Sequence, residues 1–267
     1  MKRNILRKAF GLLLVGVFCT TFTFAQEQWQ YTAMGDSLAT GYTSPAGGYV
    51  PRYKNYIQID TAVSVNLYNL GQNGRTSAGL LNALRNDSVV QNSIAQSNVV
   101  TWNIGINDLM NARNSYKNRK CGGTDNQDCF RNMVNTFKSN WNAIIGEILL
   151  RRSTTNTIIR TMDIYNPWVK ADKAKNTFSD SKEPVQSRGN DFQVLKYYID
   201  QMNSHIAVTT SGNSIPSAQV YLYFNGSNGG EDPIIKGYIN SDGLHPSDTG
   251  FQLIADIFRS LGYAPLR

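Results

Sequence analysis

Short apolar runs alternate with amphipathic stretches along almost the whole chain. Residues 29–34, 63–70, 97–104, 157–162 and 219–224 are brief segments rich in apolar, β-branched or aromatic side chains, bounded by polar or glycine-containing turns. Each predicts a β-strand. Between them, residues 50–59, 77–84, 131–151 and 191–208 repeat their apolar positions at helical spacing. A last helix is predicted after Ser247-Asp248-Thr249, a run of N-cap candidates. The clearest helix is 131–151, where Met133, Phe137, Trp141, Ile144, Ile145 and Ile148 share one face. Pro51 stands early in its helix, where a missing N–H leaves no bond unmade. Strands alternating with helices predict the α/β class, a parallel sheet with helices on both faces. Neither an internal repeat nor a linker divides the chain. Residues 111–128, 166–190 and 225–242 are the least regular, and loops beyond strand C-termini form the ligand crevice of an open α/β sheet. Segment 166–190 mixes Lys170, Lys173, Lys175, Lys182 and Arg188 with acids. It predicts a solvated surface loop, with a lid over the crevice as the sharper alternative.

The first 25 residues break this pattern. Lys2, Arg3, Arg7 and Lys8 precede an apolar stretch over 9–18, shorter than the about 20 residues a bilayer requires. Thr23-Phe24-Ala25 offers small residues at the positions a signal peptidase requires, so a secretory signal cleaved after Ala25 is expected, followed by one domain over 26–267. A retained N-terminal anchor is the alternative. Lipidation at Cys19 is discounted because Phe18 is too bulky for the position before it. Removing the four cations of the signal from 26 Lys and Arg leaves 22 against 19 Asp and Glu, so the net charge falls from +7 to +3. The basic balance therefore belongs to targeting. No Lys/Arg run interleaved with aromatics points to a nucleic-acid partner. In an exported chain, Cys121 and Cys129 in a polar stretch predict a disulfide closing a surface loop. Two thiols without further ligands nearby predict no metal site.

Four polar motifs follow the predicted elements in a fixed order. They are Gly35-Asp36-Ser37-Leu38, Gly71-Gln72-Asn73-Gly74-Arg75-Thr76, Gly105-Ile106-Asn107-Asp108 and Asp242-Gly243-Leu244-His245. In these blocks the chain resembles the SGNH hydrolase superfamily, also called the GDSL esterase/lipase family, over essentially everything after the signal. The resemblance implies a three-layer α/β/α sandwich with a flavodoxin-like five-stranded parallel sheet. It also implies a serine esterase that works through an acyl-enzyme and needs no cofactor. Carried over residue by residue, the catalytic triad is Ser37, Asp242 and His245. The oxyanion hole takes the backbone N–H groups of Ser37 and Gly74 and the side-chain amide of Asn107.

Elementary chemistry supports the same roles. A serine hydroxyl is a weak nucleophile until a base takes its proton, and the chain has only two histidines, His205 and His245. His205 falls in a predicted helix without a catalytic frame, and is expected to be a surface or partly packed residue. His245 stands three residues after Asp242, which would orient its imidazole. Gly71 competes with Gly74, which is preferred because it matches the family's small-Gly-x-Thr frame. Asn73 stands where many relatives carry serine, a departure that leaves the Gly74 N–H in place. Asp36 and Asp108 are expected to bond local turns.

Substrate choice is less constrained, because the family acts on lipids, acetylated carbohydrates, aryl esters and thioesters. Without a long apolar lid segment, short acyl or acetyl esters of a small molecule or polysaccharide are expected. A lipase, thioesterase or acyltransferase of the same fold is the alternative. A glycan-binding module without catalysis is the rival from another class, and the completeness of the four blocks argues against it. Tyr42, Tyr49, Trp102, Tyr165 and Trp168 lie near strand ends as crevice walls or core, with stacking on sugar rings as the sharper reading. A secreted or periplasmic location is expected, with no stable membrane insertion once the signal is removed.

Overall fold

A computed structural model describes residues 26–177 and 190–267. The expected signal at 1–25 lies outside the described residues. So does 178–189, on which the lid alternative for 166–190 depends.

Five strands form one parallel sheet: β1 (Gln28–Gly35), β2 (Ser64–Gly71), β3 (Val99–Trp102), β4 (Ile158–Met162) and β5 (Ser217–Ala218). Their order is β2-β1-β3-β4-β5, the flavodoxin-like arrangement. β3 and β4 are buried at every position. A strand covered on both faces has no solvent-facing side to fill with polar residues, so these strands are mostly apolar, and their polar members Thr101, Arg160 and Thr161 are buried with the rest. The chain leaves β1 toward β2 on one side, and leaves β3 toward β4 on the other. The chain therefore opens a crevice between the carboxyl ends of β1 and β3.

Helices cover both faces. On one lie α3 (Ser77–Asn86), α4 (Ser88–Ala95), α5 (Ile106–Lys117), α6 (Asp128–Leu149) and α8 (Asp191–Gly212). On the other lie α2 (Tyr49–Thr61) and α10 (Asp248–Ser260). Phe137, Trp141, Ile144 and Ile148 of α6 are fully buried. Each such side chain contributes about 1.5–3 kcal/mol through burial, so packing rather than intrinsic propensity holds this helix in place. Across the sheet, Tyr49 stacks on Phe258 with ring centroids 5.2 Å apart. The N-cap expected near Ser247 is present, its hydroxyl accepting from the Gly250 N–H.

Three expectations need correction. The strand expected at 219–224 is not one: β5 is only Ser217–Ala218, and Val220–Asn225 forms helix α9. Its first turn is capped from β4's end, where the Asp163 carboxylate accepts the Tyr221 N–H. Val220 and Phe224, four apart, are buried while Leu222 and Tyr223 are exposed, a helical rather than an alternating pattern. Segment 111–128 is not irregular throughout, since α5 runs to Lys117. Segment 166–190 holds a short helix, α7 (Val169–Lys173). Cys121 and Cys129 form a disulfide that closes the loop between α5 and α6. Among the described residues no helix is long and apolar enough to cross a membrane.

Candidate active site

β1 delivers the chain to Asp36, and Ser37 opens α1 (Ser37–Thr40), a single turn ended by Gly41 in the left-handed conformation. The Asp36 carboxylate makes this turn. Its Oδ1 accepts from the Leu38 N–H at 2.9 Å and from Asn103 Nδ2 at 2.7 Å, and Asn103 Oδ1 accepts from the Tyr49 hydroxyl at 3.2 Å. Asp36 is fully buried, and among the described residues its Oδ2 has no partner. Burial pushes its carboxyl up to about 7, against the opposing pull of the Leu38 and Asn103 hydrogen bonds.

A raised carboxyl has a definite sign for stability. The folded state holds the Asp36 proton more tightly than the unfolded chain, so this group's contribution is complete below about pH 4. It is lost as pH rises through about 7. Asp163, also pushed up to about 7 by burial, acts in the same direction. Asp36→Asn keeps an acceptor for Leu38 and removes one of these titrations. Urea unfolding between pH 5 and 7 should therefore show a fall in stability shallower than wild type by up to ~1.4 kcal/mol per pH unit. An unchanged slope would show that Asp36 is ionised in the fold.

The candidate base, His245, comes from the other end of the chain. Asp242 Oδ1 accepts the backbone N–H groups of Leu244 at 2.9 Å and His245 at 3.0 Å, closing a tight turn. Asp242 Oδ2 lies 2.6 Å from His245 Nδ1, and His245 Nε2 lies 2.9 Å from Ser37 Oγ. Burial would raise the Asp242 carboxyl, but the His245 ring and the two amides outweigh it and hold it below its ordinary value. An ionised carboxylate can only accept, so Nδ1 carries the proton and Nε2 presents a lone pair to the hydroxyl. The whole turn is fixed from β4's end, where the buried Tyr165 hydroxyl donates to the Leu244 carbonyl at 2.7 Å.

The three candidate oxyanion donors are placed by different elements. The N–H groups of Ser37 and Gly74 bond to no group among the described residues. Gly74 has φ of +75°, which a side chain would strain, and the direction its Cβ would take is open. Asn107, in the first turn of α5, is buried, and its Nδ2 donates one hydrogen to the Arg75 carbonyl at 2.9 Å. That bond fixes the amide plane and leaves the second hydrogen available. Gly71, the competing donor, spends its N–H on Asn69 Oδ1. Asn73 accepts from the Thr40 hydroxyl at 2.7 Å, tying the second block to α1, the helix that Ser37 opens. Asp108 accepts both the N–H and the hydroxyl of Ser77, capping α3.

His205 lies on α8 with its Nε2 2.9 Å from Asn142 of α6. Sequence reasoning missed Asn103, Tyr49 and Tyr165 as supports. The one available signal was Asn103, an amide directly after the mostly apolar strand Val99–Trp102. Among the described residues no cluster of three or more His, Cys, Asp and Glu is placed to hold a metal ion.

Residues 31–258 match the family model described as GDSL-like lipase/acylhydrolase. The chain is 23% identical to the spore germination lipase LipC of Bacillus licheniformis over 89% of this chain and 98% of that protein. Its fold is similar to that of the lipase Lip_vut3 from a goat rumen metagenome, with a TM-score of 0.70 and 23% identity over 90% of this chain and 100% of that one. It is also similar to the acetylxylan esterase Axe2 of Geobacillus stearothermophilus, solved as a catalytic mutant. There the TM-score is 0.59, with 16% identity over 89% of this chain and 96% of that chain.

Proposed function

The chain belongs to the GDSL-like lipase/acylhydrolase family and is a serine hydrolase of ester bonds, and from that premise we propose an exported esterase for short acyl esters with Ser37, His245 and Asp242 as its triad. The observation that carries the assignment is the unbroken line from Asp242 Oδ2 through His245 to Ser37 Oγ, at 2.6 and 2.9 Å.

Ser37 Oγ attacks the ester carbonyl carbon as its proton passes to His245 Nε2. The carbonyl oxygen becomes an oxyanion received by the N–H groups of Ser37 and Gly74 and the Asn107 amide. Such a preorganised donor is worth about 3–4 kcal/mol in the transition state. Asp242 stabilises the imidazolium, which then gives its proton to the departing alcohol and leaves an acyl-Ser37 ester. Water, deprotonated by His245, attacks that ester and releases the acid.

Export is supported by the N-terminal sequence pattern and agrees with the Cys121–Cys129 disulfide. An acetylated carbohydrate or small-molecule ester is the proposed substrate class. It fits the likeness to an acetylxylan esterase as well as the lack of a long apolar lid segment in the sequence. A series of p-nitrophenyl esters tests the acyl side. We expect kcat/KM to peak at acetyl to butyryl and to fall by about fivefold or more for each further methylene, since one misplaced methylene costs about 1 kcal/mol or more. A steady rise beyond eight carbons would assign the protein to long-chain lipids instead.

A further inference from the structure

Five aromatic side chains stand near strand ends, and the fold disposes of four. Tyr49, Trp102 and Tyr165 are buried, and Trp168 lies beneath the Arg113 guanidinium, 4.7 Å from its ring centroid. Tyr42 is different. It is half exposed, and its ring centroid lies 4.9 Å from that of His245, with the two planes 61° apart.

The loop that carries Tyr42 is pinned at several points. Its N–H donates to the Ser37 carbonyl at 3.0 Å. The two ends of the loop touch backbone to backbone: a Cβ on Gly48 would lie 2.4 Å from Gly41 Cα, so no side chain fits there. Ser44 Oγ donates to Asp248 Oδ1 at 2.6 Å, and Arg52 Nη2 donates to the same oxygen at 2.8 Å. Arg52 Nε also holds the Gly48 carbonyl at 3.1 Å. Asp248 opens α10, three residues after His245. The loop is thus strapped to the nucleophile's helix on one side and to the base's segment on the other.

This rigidity has a consequence for binding. His245 Nε2 must reach the oxygen of the leaving alcohol, so the body of that alcohol lies beside the imidazole. A half-exposed ring already fixed there offers an aromatic surface with little ordering left to do on binding. The π-face of a tyrosine is electronegative and attracts the polarised C–H groups on the flat side of a sugar ring. We propose that Tyr42 is a specificity-determining residue for the alcohol half of the ester, selecting acetylated pyranoses over open-chain alcohols. The inference rests on the triad reading given above.

The test compares kcat/KM for methyl 3-O-acetyl-xylopyranoside with that for ethyl acetate in wild type, Tyr42→Ala and Tyr42→Phe. Stacking on an aromatic is worth enough by alanine substitution that the sugar-to-ethyl ratio should fall about tenfold in Tyr42→Ala, chiefly through KM. Tyr42→Phe, which keeps the ring, should stay within about twofold of wild type. Equal losses on both esters would overturn the inference, since the ring would then merely shield the imidazole. Failure of the triad reading looks different: Ser37→Ala would then turn over both esters, whereas failure of the Tyr42 inference alone leaves Ser37→Ala inactive and the ratio unmoved.

Discussion

Ser37→Ala is expected to lower kcat on a short aryl ester by about 10⁴- to 10⁶-fold while leaving a folded protein. Removing a triad nucleophile costs on that scale because the remaining machinery cannot form the acyl-enzyme, and only oxyanion stabilisation and binding are left. The structural cost is small by comparison. Among the described residues the hydroxyl's one partner is His245 Nε2, and losing one such hydrogen bond costs about 0.5–1.5 kcal/mol. The turn itself is made by Asp36 and Asn103, not by the serine side chain. Steady-state kinetics beside a thermal melt separates the two effects. Turnover above about 1% of wild type from a folded variant would remove Ser37 from the chemistry.

Asp242→Asn should be nearly as damaging, at about 10⁴-fold in kcat with KM little changed. The local hydrogen bonds explain why an isosteric change does so much. One carboxylate oxygen, Oδ1, already accepts two backbone N–H groups, from Leu244 and His245. An asparagine keeps its single oxygen there and turns its NH₂ toward His245 Nδ1. The imidazole must then accept at Nδ1 and carry its proton on Nε2, the nitrogen that faces Ser37 Oγ. In that tautomer it cannot take the serine proton. Kinetics of the purified variant provide the check. A loss under about tenfold would mean that the tautomer is set by some group other than Asp242.

How much of this was legible beforehand follows from what each residue depends on. The strand ends were legible because β1, β3 and β4 are largely buried and rich in apolar or β-branched residues, and each gives way to a turn or polar residue, at Gly35, Asn103 and Asp163. Ser37 is placed by the end of β1, whereas Asp242 and His245 lie in the loop that leads into α10, held there by Tyr165. Val220–Asn225 was misread because Val-Tyr-Leu-Tyr-Phe suits a strand by composition, and its helix is set by a cap from Asp163, 58 residues away. Local sequence carries no trace of such a tertiary cap. The supports of the site were hidden for the same reason. Tyr165 reaches Leu244 across 79 positions and Asn103 reaches Asp36 across 67. Gly71 and Gly74 looked alike as turn glycines; what separates them is that Asn69 occupies one N–H and leaves the other alone. Of the five aromatics near strand ends, only packing could reveal that Tyr42 alone combines exposure with contact to the imidazole.

The central claim is that Ser37 is the atom-bearing nucleophile of an acyl-enzyme. The most direct measurement is mass spectrometry of the intact protein and its peptides after exposure to an aryl alkylphosphonate, which traps an activated serine as a covalent adduct. One adduct per chain, located on Ser37 and absent from both Ser37→Ala and His245→Ala, is the predicted result. An adduct on another residue, or labelling that persists in Ser37→Ala, would contradict it.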